Sequence, residues 1–172
     1  MNTTIKRIAI CLCLLMTASL AACAGKTAPA SSSAAGASES QQIANPFVEC
    51  ATPEEAAKLA GFEMTIPETV EGYTGPVIEA VKNEMIQAAF TGSGDDELLL
   101  RKAAGADDVS GDYNEYAETK TLTVGALTVT VKGADGLVHV ATWTNGDYTF
   151  AIDASGAGIS EQTVTSLVQS IG

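Results

Sequence analysis

The chain has 172 residues, 46% hydrophobic, 17% charged and 5% aromatic, and its 9 basic and 21 acidic side chains leave a formal net charge of -12. That length holds one compact domain with additional segments. The acidic balance excludes nucleic-acid binding by Lys/Arg neutralisation of phosphates, and it repels the anionic face of a membrane.

The first segment reads as an address. Lys6 and Arg7 precede an uncharged apolar stretch from Ile8 to Ala18, which suits the core of a signal peptide and is too short to span a bilayer comfortably. It ends in Leu20-Ala21-Ala22-Cys23. This string resembles the lipobox of bacterial lipoproteins, in which small residues admit the signal peptidase and the cysteine sulfur takes a diacylglyceryl group. The resemblance implies cleavage between Ala22 and Cys23, a signal peptide over residues 1–22, and a mature protein that begins at a lipidated Cys23. Loss of Lys6 and Arg7 then leaves 7 basic and 21 acidic residues, a formal charge of -14. Each buried methylene of an acyl chain contributes roughly 0.8 kcal/mol, and two or three chains hold a protein on a membrane essentially permanently. The expected location is the extracytoplasmic side of the cell membrane, with the lipid as sole anchor.

Cys11 and Cys13 would leave with the signal and Cys23 would become a thioether, so Cys50 stands alone in the exported part. No intramolecular disulfide is expected; Cys50 could be a reactive thiol or form an intermolecular bridge, but reads rather as a small buried or half-buried apolar residue. Residues 23–45 continue as AGKTAPASSSAAGASESQQIAN after the cysteine. Such an Ala- and Ser-rich stretch cannot bury enough surface to offset its backbone entropy, and as a flexible tether of roughly 22 residues it would reach on the order of 25 Å.

The folded domain is expected over residues 46–172. Thr52-Pro53-Glu54-Glu55 is a helix start: Thr52 can cap, Pro53 suits the first helical position, and Glu55 stands where a capping box wants a carboxylate. Ala56, Ala57, Leu59 and Ala60 continue the helix and Gly61 stops it. Phe62, Met64 and Ile66 alternate with Glu63 and Thr65, which predicts a half-buried strand ended by Pro67.

Strands are then predicted over 77–82, 85–91, 97–103 and 116–124, separated by Asn83-Glu84, by the break at 92–96 and by the Gly- and Asp-rich break at 105–112. Leu127, Val129 and Val131 alternate with Thr128, Thr130 and Lys132, and Tyr148, Phe150 and Ile152 alternate with Thr149 and Ala151. Between strands over 137–144 and 147–153 lies Asn145-Gly146, a strong hairpin signal because both residues tolerate positive φ. Short connections predict an antiparallel meander. Ser160 and Glu161 open a last helix, whose Val164, Leu167, Val168 and Ile171 form one apolar stripe. The expected fold is α+β: an antiparallel meander sheet of about six to eight strands with a short N-terminal helix and a C-terminal helix packed on one face.

Two stretches carry a family resemblance. ATPEEAAKLAGFEMTIPETVEGYT, from Ala51 to Thr74, and WTNGDYTFAIDASGAGISEQTVTSLVQSIG, from Trp143 to Gly172, resemble the opening and closing segments of the bacterial family catalogued as domain of unknown function 4367. There a short helix leads into a Gly-Phe strand, a Pro and a Gly-Tyr turn, and a Trp, Gly, Tyr and Ile strand pair precedes a helix ending in Ser-Ile. The resemblance implies an exported or membrane-anchored protein and supplies no catalytic residues. No motif matches between Met85 and Thr123.

Residues that could carry chemistry are few. His139 is the only histidine, so a Ser-His-Asp or Cys-His relay would have to use it; in phase with Leu137 and Trp143, it reads as a hydrogen-bonded sheet residue. Asp95-Asp96-Glu97 and Asp107-Asp108 supply carboxylates but fall in turns, where charge is normally solvated. Asp107, Asp108, Ser110, Asp112, Asn114 and Glu115 offer oxygen ligands to calcium, without the spacing of an EF-hand loop. Trp143, Tyr148 and Tyr73 could line a groove and fit core or rim packing better. Gly92-Ser93-Gly94 lacks the Lys and helix of a phosphate loop. The expectation is a non-enzymatic, lipid-anchored binding or interaction module with no cofactor and no metal. Its partner would be another envelope protein; the alternative is a carrier of a small apolar ligand, a lipid or a peptide, in a pocket between sheet and helices.

Overall fold

A computed structural model describes residues 45–171 of the protein, all within the unit Gln42–Gly172. The signal segment, the cleavage site at Ala22 and Cys23, and the tether lie outside the described residues.

The helix start works as its chemistry requires. Thr52 Oγ1 accepts from the Glu55 N–H at 3.3 Å and Glu55 Oε2 accepts from the Ala51 N–H at 3.0 Å, so the carboxylate reaches one residue further back than in a standard capping box. Helix α1 (Pro53–Ala60) ends where Gly61 turns left-handed at φ 84° and donates its N–H to Ala57. Ahead of it lies a three-residue strand, β1 (Val48–Cys50), too short to signal itself by alternation.

The stretch from Phe62 to Ile66 corrects one expectation: it is no strand. Met64 is buried and Glu63 and Thr65 are exposed, so the period of two records one-sided burial rather than a ladder. Lys102 Nζ donates to the Glu63 carbonyl at 2.6 Å and ties this segment to the sheet through a side chain.

The strands that follow are β2 (Thr74–Val81), β3 (Met85–Thr91), β4 (Glu97–Ala104), β5 (Glu118–Val124), β6 (Leu127–Ala134), β7 (Leu137–Asn145), β8 (Tyr148–Ala154) and the two-residue β9 (Ile159–Ser160). All pairings are antiparallel, and the spatial order is β1-β2-β3-β4-β8-β7-β6-β5, with β9 on β7. This is an α+β protein with a meander-like sheet of nine strands among the described residues, more than expected. The order breaks once: β4 pairs with β8, and the connection over 105–117 carries the chain to the far edge, where β5 begins. Two meanders thus join along β4 and β8, a non-local pairing that turn chemistry cannot announce. At Asn145-Gly146, Gly146 takes φ 61° in the predicted hairpin between β7 and β8.

Side chains alternate between the two faces of each strand. One face carries Ile86, Phe90, Leu98, Leu100 and Ile152, each at most 1% exposed, and joins the buried residues of both helices in one hydrophobic cluster. Helix α1 lies against β2 and β3; helix α2 (Glu161–Ile171), capped by Ser160 Oγ on the Thr163 N–H at 3.1 Å, lies against β5, β7 and β9. Full burial of Val164, Val168 and Ile171 contributes roughly 1.5–3 kcal/mol each. Trp143 is 3% exposed and stacks on Phe150 across the β7–β8 pair, ring centroids 5.2 Å apart. Among the described residues no helix is long and apolar enough to cross a membrane.

Candidate functional site

The other face of the sheet carries the polar side chains, together with exposed or half-buried apolar ones such as Val77, Ala89 and Leu99. The strand register places Glu79, Gln87, Arg101, Ala151, Thr142, Thr130 and Thr121 opposite one another in a single row across seven strands. Its first half is a hydrogen-bonded chain. Gln87 Nε2 donates to Glu79 Oε2 at 2.9 Å, and Arg101 Nε donates to Gln87 Oε1 at 2.7 Å. Arg101 Nη1 then turns to the connection over 105–117, donating to the Val109 carbonyl at 3.2 Å and to the Ser110 carbonyl. Thr149 Oγ1 adds a bond to the Gly105 carbonyl at 2.7 Å. The connection is therefore a strap that crosses the middle of this face, and Ser110 within it is 1% exposed.

The strap's sequence permits this approach. Gly111 has φ +72°, and a Cβ there would meet Arg101 Nη1 at 2.6 Å. Asp108 Oδ1 accepts from the Ser110 N–H at 2.8 Å, and Asp112 accepts from the Asn114 N–H at 2.8 Å, its side-chain amide at 3.0 Å and the Tyr116 hydroxyl at 2.7 Å. These carboxylates make turns, as aspartates in such segments do. Burial pushes the Asp112 carboxyl up, but the bonds from Tyr116 and Asn114 and the charge of Lys132 together hold it below its ordinary value. Burial and the bond to Asp112 push the Tyr116 hydroxyl up to about 12. Asp153, half-buried on the same face, is raised by desolvation and by Asp112, against the pull of Arg101 and His139.

His139 does not sit with Trp143, contrary to its expected phase. The register slips between Lys132 and Gly133 on β6, so Val138 is buried while His139 is only half-buried and Leu137 is 40% exposed. Gly133 makes the slip possible, since a Cβ there would collide with the Leu137 carbonyl oxygen. His139 Nδ1 lies 3.2 Å from the Ala154 carbonyl oxygen, and the ring stacks on Tyr116 with centroids 5.3 Å apart. That is the hydrogen-bonded sheet histidine the sequence suggests.

The calcium candidates Asp107, Asp108, Asp112 and Glu115 do not converge: among the described residues no group of three metal-ligating side chains is brought together. Cys50 is a half-buried free thiol whose Sγ lies 3.5 Å from the Val48 carbonyl, and desolvation followed by the charge of Glu55 raises its pKa. Tyr148 and Phe62 pack with Phe150 around Lys102, whose Nζ is 4.3 Å from the Tyr148 centroid. Burial lowers the Lys102 pKa against the opposing charge of Glu63. Trp143 is core, with its buried Nε1 unpartnered among the described residues.

Two depressions flank these features. An open groove of about 690 Å³ runs along α1 and the segment after it, between Pro53 and Thr65. A cleft of about 260 Å³ opens on the polar face, between strap residues Ala106 and Asp108 and the threonines of β6, β7 and β8. The threonines that form it were visible in the sequence as polar alternates of β6 to β8; what hid the cleft was the strap. No protein-family model, no curated protein and no solved structure matches the chain.

Proposed function

We propose that the protein is a lipid-anchored module of the cell envelope, held at Cys23 on the outer side of the cytoplasmic membrane, whose polar sheet face binds another envelope component. The observation that carries this reading is the division of the sheet. One face is filled with apolar side chains, with the buried residues of α1 and α2 in the same cluster. We read both helices as covering that face. The opposite face keeps Thr121, Thr123, Thr128 and Thr144 exposed across neighbouring strands. We read this row as the recognition surface, because each exposed hydroxyl can both donate to and accept from a polar partner.

A carrier of a lipid or peptide would need an empty apolar pocket between sheet and helices, where Phe90, Leu98, Leu100, Ile152, Val164 and Val168 are packed at 0–1% exposure. That packing favours the module. A non-enzymatic role agrees with the engagement of His139 and Asp112 in bonds to their own neighbours. The lipobox-like string Leu20-Ala21-Ala22-Cys23 supports the envelope location.

The test is site-specific photo-cross-linking in living cells, with a photoreactive phenylalanine analogue at Thr121 on the polar face or at Glu54 beside α1. Adducts from position 121 and not from 54 are expected. Adducts only from 54, or from neither, would overturn the reading.

A further inference from the structure

We propose that the cleft between the strap and strands β6 to β8 is a binding site for a neutral oligosaccharide. This rests on the reading of the polar face as the recognition surface and names its ligand class.

The lining selects the ligand by exclusion and by match. It contains no Lys or Arg, and its one charge is the carboxylate of Asp108. Phosphate, sulfate and uronate groups find no counter-ion there and meet a repelling charge, in a chain that already carries an excess of acid. Nor is the wall apolar enough for an acyl chain, since threonines on three strands form most of it. A threonine hydroxyl both donates and accepts. Among the described residues, the hydroxyls of Thr128, Thr130, Thr142 and Thr144 make no intramolecular hydrogen bond, whereas Thr149 is committed to Gly105. Asp108 spends Oδ1 on the Ser110 N–H and keeps Oδ2 as a strong acceptor.

The complement of such a wall is a molecule whose perimeter is a ring of hydroxyls, each a donor and an acceptor, with C–H faces that can rest on threonine methyls. The register makes the wall orderly: Thr130 faces Thr142, Thr121 faces Thr130, Thr123 faces Thr128 and Thr144 faces Thr149. Neighbouring strands lie about 4.7–4.9 Å apart. The hydroxyls therefore recur at a spacing comparable with that of alternate, 1,3-related hydroxyls on a pyranose ring, not of adjacent ones. At about 260 Å³ the cleft is smaller than the pockets of drug-sized ligands and holds one sugar unit. The exposed threonines of β5 continue the surface beyond it, so further units of an oligomer would run toward the β5 edge.

The strap fixes the site. Asp108 is held opposite the threonines because Arg101 grips the next two carbonyls, those of Val109 and Ser110. The strap is therefore part of the binding wall.

The experiment uses the mature lipidated protein purified from membranes in a sugar-free detergent, with cellotriose, maltotriose and chitotriose as probes and trigalacturonate as the anionic comparison. Saturation-transfer NMR reads binding at the sugar protons, and the fluorescence of Trp143, flanked by Thr142 and Thr144, reads it at the protein. Saturable millimolar binding of at least one neutral trisaccharide is expected, with trigalacturonate at least tenfold weaker. The double variant T130V/T142V keeps the β-branched shape and removes two hydroxyls; it should weaken binding at least tenfold at unchanged melting temperature. Asp108→Asn should weaken it several-fold. No saturable binding of any of the three probes, binding indifferent to T130V/T142V, or a preference for trigalacturonate would overturn the proposal. Adducts at position 121 together with no trisaccharide binding would leave the recognition face standing and remove the sugar.

Discussion

Arg101 on β4 donates through Nη1 to the carbonyl of Ser110, so the central strand of the sheet grips the strap that leaves it. The guanidinium is held from the other side by Gln87 at 2.7 Å, and desolvation lowers its pKa against the charges of Asp153, Glu97 and Glu79. One side chain thus serves as donor to two carbonyls and one amide oxygen. Replacing it with Leu leaves those acceptors without partners, at a cost of about 2–3 kcal/mol. Thermal unfolding of Arg101→Leu should show a clearly lower Tm, and hydrogen exchange should rise first in residues 105–117. An unchanged exchange rate in the strap would contradict its dependence on Arg101.

The carboxylates near the strap set a pH dependence of mixed sign. Asp153 has a raised pKa in the fold, so its contribution is full below the unfolded value near 3.9 and lost as pH rises through its folded pKa. Asp112 is depressed, so its contribution is present above the unfolded value and lost as pH falls through its folded pKa. Asp153→Asn should therefore raise Tm at pH 7, by the equivalent of less than about 1 kcal/mol given solvent screening. The gain should shrink towards pH 3. Asp112→Asn should lower Tm at pH 7 and converge with the unsubstituted protein at low pH. Melting curves between pH 3 and 7 decide both; a D153N gain that grows with acid would refute the assignment.

The Tyr116 hydroxyl should ionise well above the ordinary tyrosine value. Burial and the bond to Asp112 raise its hydroxyl to about 12, so the stability it contributes is full below pH 10 and declines as pH rises from 10 towards 12. Spectrophotometric titration of Tyr116→Phe should lose the phenolate absorbance change that develops near pH 12. Loss of a transition near pH 10 instead would place Tyr116 in solvent.

Trp143 carries a conflict within the core. Its ring stacks on Phe150, while its buried N–H has no partner among the described residues, a penalty of about 1–3 kcal/mol. Trp143→Phe keeps a stacked ring and removes the unpaired donor, so the loss of packing is offset and the change in stability should stay within about 1 kcal/mol. Trp143→Ala should cost about 3–5 kcal/mol. Circular-dichroism melts compare the two, and a Phe variant as unstable as the Ala variant would show that the indole is indispensable.

Local chemistry was legible in the sequence where it acts locally. Thr52, Pro53 and Gly61 bound α1, Ser160 caps α2, Asn145-Gly146 turns β7 into β8, and the alternations of β6 and β8 place Val129, Val131, Phe150 and Ile152 in the core. What escaped has non-local causes. The β4–β8 pairing is decided by packing between two meanders, β1 and β9 are too short to show a period, and the phase of His139 depends on a slip at Gly133 of the neighbouring strand. The cleft escaped for the same reason: Asp108 shares it with Thr130 and Thr142 because Arg101 on β4 holds the strap across the sheet.

Mass spectrometry of the N-terminal peptide of the membrane-extracted protein tests the central claim most directly. A peptide that begins at Cys23 and carries a diacylglyceryl thioether is predicted, together with release of a Cys23→Ala variant from the membrane fraction. A peptide that retains residues 1–22, or an unmodified Cys23 in a protein that still sediments with membranes, would contradict the account.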